Sequence, residues 1–180
     1  MQYLRSVGNW GRKLPLGSGK GIGRSELCRL MLRFDDCWAG FREEGMLEID
    51  GRCHCGRVTY EAKVNPASVR ICHCVDCQSL TGSAYRVTVR AAREHVVITS
   101  GAPKVYKRFG DNGRKRLQLF CDECGSPLFT TGEGEDAAVW GIRWGSITQR
   151  QALAPSSQIW RRSAADWVDS IEHLPAHDKD

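Results

Sequence analysis

The features of a membrane or secreted protein are missing from this chain of 180 residues. No apolar run approaches the roughly 18 to 20 residues that a membrane-spanning helix requires, and the N-terminus lacks the short apolar region of a signal peptide. The content of 41% hydrophobic and 26% charged residues is ordinary for a globular protein, which excludes a chain that is disordered throughout. We therefore expect a soluble, cytoplasmic protein of one domain plus extensions, with no membrane partner.

A strong basic field and a nucleotide-binding loop are missing as well. The net charge of +5 is modest, and residues 1–45 carry much of it, with eight Lys and Arg against five Asp and Glu. The glycine-rich stretch LGSGKGIGRS fails the Walker pattern, because Leu14 stands where Gly is needed and Gly21 where Ser or Thr is needed. It also fails the dinucleotide pattern G-x-G-x-x-G. The sequence therefore predicts neither a nucleic acid partner nor a nucleotide site.

Cysteine, by contrast, is plentiful, with nine residues in the chain. Two are isolated, and seven fall in the motifs C-x-C, C-x-C-x2-C and C-x2-C. These seven are Cys53, Cys55, Cys72, Cys74, Cys77, Cys121 and Cys124. Disulfide frameworks rarely place thiols so close together, and in a cytosolic protein such motifs indicate metal binding or catalysis.

The chain divides at about Met46, shortly before the first cysteine motif. In the N-terminal extension, residues 1–45, apolar residues recur at helical spacing and predict a short helix over residues 25–41, capped by Ser25. Either this helix docks on the domain or on a partner, or the native protein begins at Met46 and the extension comes from an upstream start. The cysteine-rich domain is expected over residues 46–180.

Short β-strands are predicted throughout that domain. Apolar and polar residues alternate over residues 58–64 and again over 85–89, which indicates half-buried strands. KVYKRF and KRLQLF flank the residues GDNG, which suit a tight hairpin turn. The C-terminal stretch SAADWVDSIEHL predicts a short helix capped by Ser163. The sequence thus predicts a mainly β fold, a small antiparallel domain with little helix.

The seven motif cysteines can be divided between two metal ions in two ways. One division makes a closed four-cysteine cluster and a separate three-cysteine cluster. The four-cysteine cluster comprises Cys53, Cys55, Cys121 and Cys124, and the three-cysteine cluster comprises Cys72, Cys74 and Cys77. The other division pairs the two C-x-C motifs and adds Cys77 to the C-x2-C knuckle. Short loop closure favours the first. Thiolate-rich tetrahedral sites select zinc or iron, and a rubredoxin-like iron site would use two C-x2-C knuckles, so we expect two zinc ions.

The three-cysteine cluster raises the question of a fourth ligand. Structural zinc sites close with four protein ligands, whereas catalytic ones keep a position open. Either this site is open, or it is a structural site completed by His54, His73 or Asp76. His73 lies between two cysteines that share one face of a strand, so it is expected to point away from the ion and to have a supporting or core role.

Five stretches along the chain resemble, in order and spacing, the glutathione-dependent formaldehyde-activating enzyme family, which includes the centromere protein V relatives. The stretches are GRCHCGRVTYEA, CHCVDCQSLTGSAY, TSGAPKVYKRF, FCDECGSPLF and SSQIWRRSAADW. The resemblance covers about residues 46–175 and includes all seven motif cysteines. It implies a zinc-stabilised, tent-like β fold with a structural zinc in the four-cysteine cluster and a catalytic zinc in the three-cysteine cluster.

The resemblance also implies an activity. That activity is the reversible condensation of glutathione with formaldehyde to S-hydroxymethylglutathione, by a carbon-sulfur lyase in which Cys72, Cys74 and Cys77 form the catalytic site. The thiol and the aldehyde can be others of the same classes. The alternative, also drawn from the resemblance, is a non-catalytic zinc-binding interaction module like the centromere protein V relatives.

Candidate substrate contacts follow the three-cysteine cluster directly. The stretch QSLTGS offers amide, hydroxyl and backbone donors that suit carboxylates, although an ordinary polar turn is the alternative. The candidates are Gln78, Thr81, Ser83 and Arg86. Trp160 and Trp167 match the C-terminal pattern of the family and are expected to cover the core.

Overall fold

The computed structural model describes residues 45–179, in which ten β-strands form two sheets. The strands are β1 (Leu47–Arg52), β2 (Thr59–Val64), β3 (Val69–Cys72), β4 (Arg86–Ala92), β5 (Val96–Ser100), β6 (Lys104–Phe109), β7 (Lys115–Phe120), β8 (Pro127–Thr131), β9 (Val139–Arg143) and β10 (Ser157–Ile159). The prediction of a mainly β fold is confirmed. The helix predicted over residues 25–41 lies outside the described residues.

Helical structure within the described residues is short. One α-helix, α1 (Val75–Thr81), follows β3 almost directly. Short 3-10 segments lie at Pro66–Ser68, Arg93–His95, Gly134–Ala138, Trp144–Ser146, Arg150–Ala152, Arg161–Ser163 and Asp166–His173. None of these helices has the length and apolar character that a membrane crossing requires.

The three-stranded sheet has the order β1-β2-β5, with antiparallel neighbours. Along β2 the side chains of Tyr60, Ala62 and Val64 are buried while those between them are exposed, as the alternation in the sequence predicts. Gly51 on β1 lies opposite Tyr60. A Cβ at Gly51 would stand 2.2 Å from the Tyr60 ring, so only glycine leaves room for that ring.

The seven-stranded sheet has the order β10-β3-β4-β9-β8-β7-β6. Its strand pairs are antiparallel except at one edge, where β10 lies parallel to β3. The predicted hairpin is formed by β6 and β7 around residues 110–113, with Gly113 at φ 72°. The antiparallel prediction therefore needs one correction at β10, because the chain returns to β3 by a long connection rather than by a hairpin.

The two faces of the seven-stranded sheet differ in chemistry. On one face, Val89, Ile142, Phe129 and Leu119 follow one another in register across four strands and are buried. This apolar face meets the three-stranded sheet, and the ring of Tyr60 packs edge-on against Phe129 with centroids 4.8 Å apart. Burial of such side chains contributes about 1.5 to 3 kcal/mol each and holds the two sheets together. The opposite face, called here the polar face, carries the residues described below.

Two predictions for the C-terminal segment were wrong. The predicted helix forms as a 3-10 segment, Asp166–His173, with Ala165 rather than Ser163 at its N-terminus and no side-chain cap. Trp160 and Trp167 do not cover the core, since they are 39% and 57% exposed. Trp160 has φ 59° and stacks with Arg162 instead, so this segment lies on the surface of the domain.

Candidate metal centres

The four-cysteine cluster lies where two strand connections meet. Cys53 continues the inward alternation of β1 beyond its end, and the connection to β2 turns at Gly56, whose φ is 80°. Cys121 and Cys124 lie between β7 and β8, where Gly125 at φ 71° donates its N–H to Cys121 O at 2.9 Å. Glycine tolerates this conformation, so both connections turn back tightly enough to bring their sulfurs together.

The spacing of the four sulfurs suits one tetrahedral ion. Their Sγ atoms all lie within 4.8 Å of one another. Cys53 Sγ and Cys55 Sγ are 3.5 Å apart, and Cys55 Sγ and Cys121 Sγ are 3.8 Å apart. Four sulfurs at about 2.3 Å from a zinc ion would be separated by about 3.8 Å. The cysteines are free thiols, so the cluster is a set of metal donors rather than disulfides.

The acidity of these thiols differs within the cluster. The Ser126 hydroxyl, 3.2 Å from Cys124 Sγ, lowers the pKa of Cys124 to about 5. At Cys55 the backbone N–H of Arg57 favours the thiolate, but burial and three neighbouring sulfurs outweigh it and raise its pKa to about 12. Thiols so close together cannot all ionise without a positive charge among them. The donor set therefore fits a thiophilic cation such as zinc.

The three-cysteine cluster is built on the junction of β3 and α1. Cys72 ends β3, Cys74 is the N-cap of α1, and Cys77 lies in its first turn. The N–H of Cys77 donates to Cys74 Sγ at 3.4 Å, and Cys72 Sγ lies 3.5 Å from Cys74 Sγ. The hydrogen bond with Cys77 lowers the pKa of Cys72 to about 6, while the same bond raises that of Cys77. As in the other cluster, the sulfurs fit a cation.

No fourth protein ligand joins this cluster within the described residues. His73 is fully buried and faces away, with Nε2 at 2.9 Å from Gln158 Oε1. Asp76 forms an ion pair with Arg108 instead. The backbone N–H of His54 donates to Ser126 Oγ, beside the four-cysteine cluster. Cys74 and Cys77 are partly exposed, so a small molecule can reach this cluster.

The four candidate substrate contacts separate into two groups. Thr81, Ser83 and Arg86 line one cavity of about 690 Å³, the arginine cavity, together with Cys53 and His54. Gln78 lies outside it, because its Nε2 donates to His73 O at 2.7 Å and to Ser163 O at 2.8 Å. Gln78 thus ties α1 to the strand before it and to the C-terminal segment.

A buried polar network on the polar face was missed at the sequence level. Arg86 and Arg143 are only 4% and 6% exposed. Arg143 donates to Thr88 Oγ1 and to Gln118 Oε1, both at 2.7 Å, and Arg86 donates to Leu80 O. The alternation along β9 could have predicted that Arg143 lies on the same face as Gly141. The pairing that brings Arg143 opposite Thr88 depends on long-range strand register, which a single segment does not reveal.

A second cleft, of about 630 Å³, borders the three-cysteine cluster at Cys74. It is lined by Cys74, Trp160, Arg162, the β6–β7 hairpin and the start of α1. Several hairpin cations are neutralised, since Arg108 pairs with Asp76, Arg114 with Asp136 and Lys115 with Glu133. This cleft is therefore less basic than the sequence of the hairpin indicates.

Comparison with known proteins adds the following. A family model described as glutathione-dependent formaldehyde-activating enzyme matches residues 48–163, which is more than half of the chain. A solved crystal structure of a Rhodobacter sphaeroides protein is similar at 20% sequence identity with a TM-score of 0.49, covering 61% of this chain and 98% of that one. The search of curated proteins found no match.

Proposed function

Because the chain belongs to the glutathione-dependent formaldehyde-activating enzyme family, we propose that it is a carbon-sulfur lyase that adds a small thiol reversibly to an aldehyde. The thiol is glutathione, the aldehyde is formaldehyde, and the product is S-hydroxymethylglutathione. One carbon-sulfur bond forms, the carbonyl π bond breaks, and the thiol proton ends on the new hydroxyl oxygen.

One observation carries this proposal. The three-cysteine cluster has three sulfurs, no fourth protein ligand among the described residues, and access for a small molecule. Zinc prefers four ligands, and a site with three protein ligands is the arrangement of catalytic rather than structural zinc. The four-cysteine cluster has its full ligand set and would hold the structural ion.

Zinc bound by Cys72, Cys74 and Cys77 would supply a Lewis acid that favours the thiolate form of a thiol. The three cysteines would hold the zinc ion in place. Three thiolate ligands reduce the Lewis acidity of the ion compared with three neutral histidine ligands. Much of any rate gain must therefore come from the position in which the chain holds the two reactants. Thr81, Ser83 and Arg86, which line the arginine cavity, are the proposed contacts for the rest of the thiol molecule.

The proposal is tested by exchange at equilibrium, because glutathione and formaldehyde also combine spontaneously. We expect the zinc-loaded protein to accelerate carbon-13 exchange between formaldehyde and S-hydroxymethylglutathione at least about tenfold, as positioned catalysis requires. Cys74→Ser should abolish the gain. Ser79→Ala, at an exposed position of the same helix, is the matched control and should retain it.

The opposite result has a defined meaning. If the fully loaded protein leaves the exchange rate unchanged, the chain is not a thiol-activating enzyme, and the non-catalytic zinc-binding module becomes the better description. Metal analysis of each sample separates that result from simple loss of the ion.

A further inference from the structure

The arginine cavity contains two buried cations that lack an anionic partner. Arg86 begins β4 and Arg143 ends β9, and both line the cavity. Their hydrogen-bond acceptors are neutral: the Leu80 carbonyl for Arg86, the Thr88 hydroxyl for Arg143, and the Gln118 amide oxygen for both. The Nε atoms of both arginines are buried without a partner. Neither guanidinium forms an ion pair with a carboxylate in the described part of the chain.

Two buried guanidinium groups without an anionic partner destabilise the fold unless a negative charge lies nearby. Burial lowers the pKa of Arg143 to about 9, with Arg86 adding to the effect, and both side chains stay protonated at neutral pH. Burying an unpaired charge strongly destabilises the folded state. The cysteines of the three-cysteine cluster attract both arginines, but three thiolates on a divalent cation carry a net charge of only −1. Before a substrate thiolate binds, two guanidinium groups therefore leave one positive charge uncompensated.

The register of the strands places this charge at a useful distance from the cluster. Arg86 lies directly opposite Cys72, and Arg143 lies opposite Thr88, one strand further across the polar face. Two strand spacings and the two-residue offset from Arg86 to Thr88 put the Cα atoms of Cys72 and Arg143 about 12 Å apart. An extended tripeptide spans about 10 Å, and the cysteine and arginine side chains shorten the gap that it must bridge. A peptide thiol can thus reach the cluster with its sulfur and the arginine pair with a carboxylate.

We infer that the arginine cavity is a carboxylate-binding subsite in which Arg143, with Arg86, binds an acidic end of the thiol substrate. The identity of the ligand as a small acidic thiol rests on the proposed function, whereas the anion site itself needs no catalysis. Guanidinium groups suit this role because their planar fork matches a carboxylate in two parallel hydrogen bonds. The subsite would select acidic peptide thiols over neutral thiols of similar size.

The test uses S-methylglutathione, which keeps both carboxylates but has no ionisable thiol, and its diethyl ester, which lacks both negative charges. Calorimetric titration of wild type should show tighter binding of the acid. Arg143→Gln, which removes the charge and keeps a polar side chain, should weaken binding of the acid at least about tenfold and leave the ester nearly unchanged. Arg162→Gln, in the cleft beside Cys74, is the control of equal charge change and should affect neither ligand by more than about twofold.

A second variant covers the case in which Arg143→Gln fails to fold. Gly145 lines the same cavity, and a Cβ there would meet open space. Gly145→Phe should obstruct the cavity while both arginines remain in the chain, and Gly145→Ala is its control. The phenylalanine variant should bind the acid at least about tenfold more weakly, and the alanine variant should bind it like wild type.

Several outcomes would overturn the inference. These are equal loss of acid and ester binding in Arg143→Gln, a selective loss in Arg162→Gln instead, unchanged acid binding in Gly145→Phe, or no preference for the acid in wild type. The proposed function fails separately. If the wild-type protein prefers the acid but does not accelerate exchange, the carboxylate subsite stands and the proposed enzyme activity fails. If it accelerates exchange without preferring the acid, the activity stands and the subsite fails.

Discussion

At the scale of single residues, the fold of this domain depends on positions at which the local geometry allows few residue types. The motif cysteines were recognisable from their spacing because C-x-C and C-x2-C bring sulfurs together through local backbone geometry. Gly51 was not recognisable as critical. Its importance comes from Tyr60 on the paired strand, whose hydroxyl also lies 2.8 Å from Ser146 Oγ. Contacts across strands depend on register, which the spacing of one segment does not reveal.

Gly51→Ala should destabilise the domain by about 1 to 3 kcal/mol, because the new methyl group would overlap the Tyr60 ring and the Ser146 carbonyl. Gly145→Ala, at a position with open space, should change the free energy of unfolding by less than about 0.5 kcal/mol. Denaturant unfolding of both variants measures the difference. Similar stabilities would mean that Tyr60 can leave its place between the sheets at little cost.

Cys121→Ser should cost folding, whereas Cys74→Ser should mainly cost activity. Cys121 is buried and belongs to a cluster that joins distant strands, while Cys74 is partly exposed and its cluster joins neighbouring residues. Structural zinc contributes directly to folding free energy. Thermal melts of the two zinc-loaded variants compare them. An equally large fall in Tm for both would show that the three-cysteine cluster is also structural.

At the scale of elements, the two clusters tie different parts of the fold. The four-cysteine cluster joins the β1–β2 connection of the three-stranded sheet to the β7–β8 connection of the seven-stranded sheet. The three-cysteine cluster joins only β3 to α1. Strand alternation in the sequence was sufficient to predict β2, β4 and the β6–β7 hairpin, since each has a clear period of two or a turn signal. The three-residue β10 has neither signal, because it is exposed and held at a sheet edge by a parallel partner.

Two zinc ions of unequal affinity are expected, and a chelator should remove them in two stages. The first ion should leave the three-cysteine cluster with little change in circular dichroism, because that cluster has no fourth protein ligand among the residues that the structure describes. The second should leave the four-cysteine cluster and unfold the domain. Metal analysis at each stage, with the spectrum recorded alongside, tests this order. A single tightly held ion, or iron, would contradict it.

At the scale of the whole molecule, the described residues contain both clusters, both sheets and the arginine cavity. The family match, over residues 48–163, lies within the same part of the chain. The mainly β character could be predicted because alternation is a local property of the sequence. The arginine cavity could not, because it is formed where the ends of β4 and β9 meet the loop after α1, and that meeting depends on the complete topology.

A chain that begins at Met46 should fold and bind two zinc ions, since every motif cysteine lies after that residue. Its Tm should match that of the full chain within about 2 °C if residues 1–45 add no stabilising contacts. Differential scanning calorimetry and metal analysis of both proteins make the comparison. Aggregation of the shorter chain would indicate that the apolar residues between 25 and 41 dock on the domain.

The pairing of β10 with β3 also has a consequence for how the chain is made. Ile159 lies opposite Cys72 and comes 87 positions after it in the chain. A ribosome that adds about 5 to 20 residues per second needs about 4 to 17 s to cover that distance. During this interval the outer edge of β3, beside Cys72, has no strand to pair with, although every motif cysteine is made before β10. The pairing of β10 with β3 is therefore among the last strand contacts to form, and it covers an edge that could otherwise pair with a strand of another nascent chain.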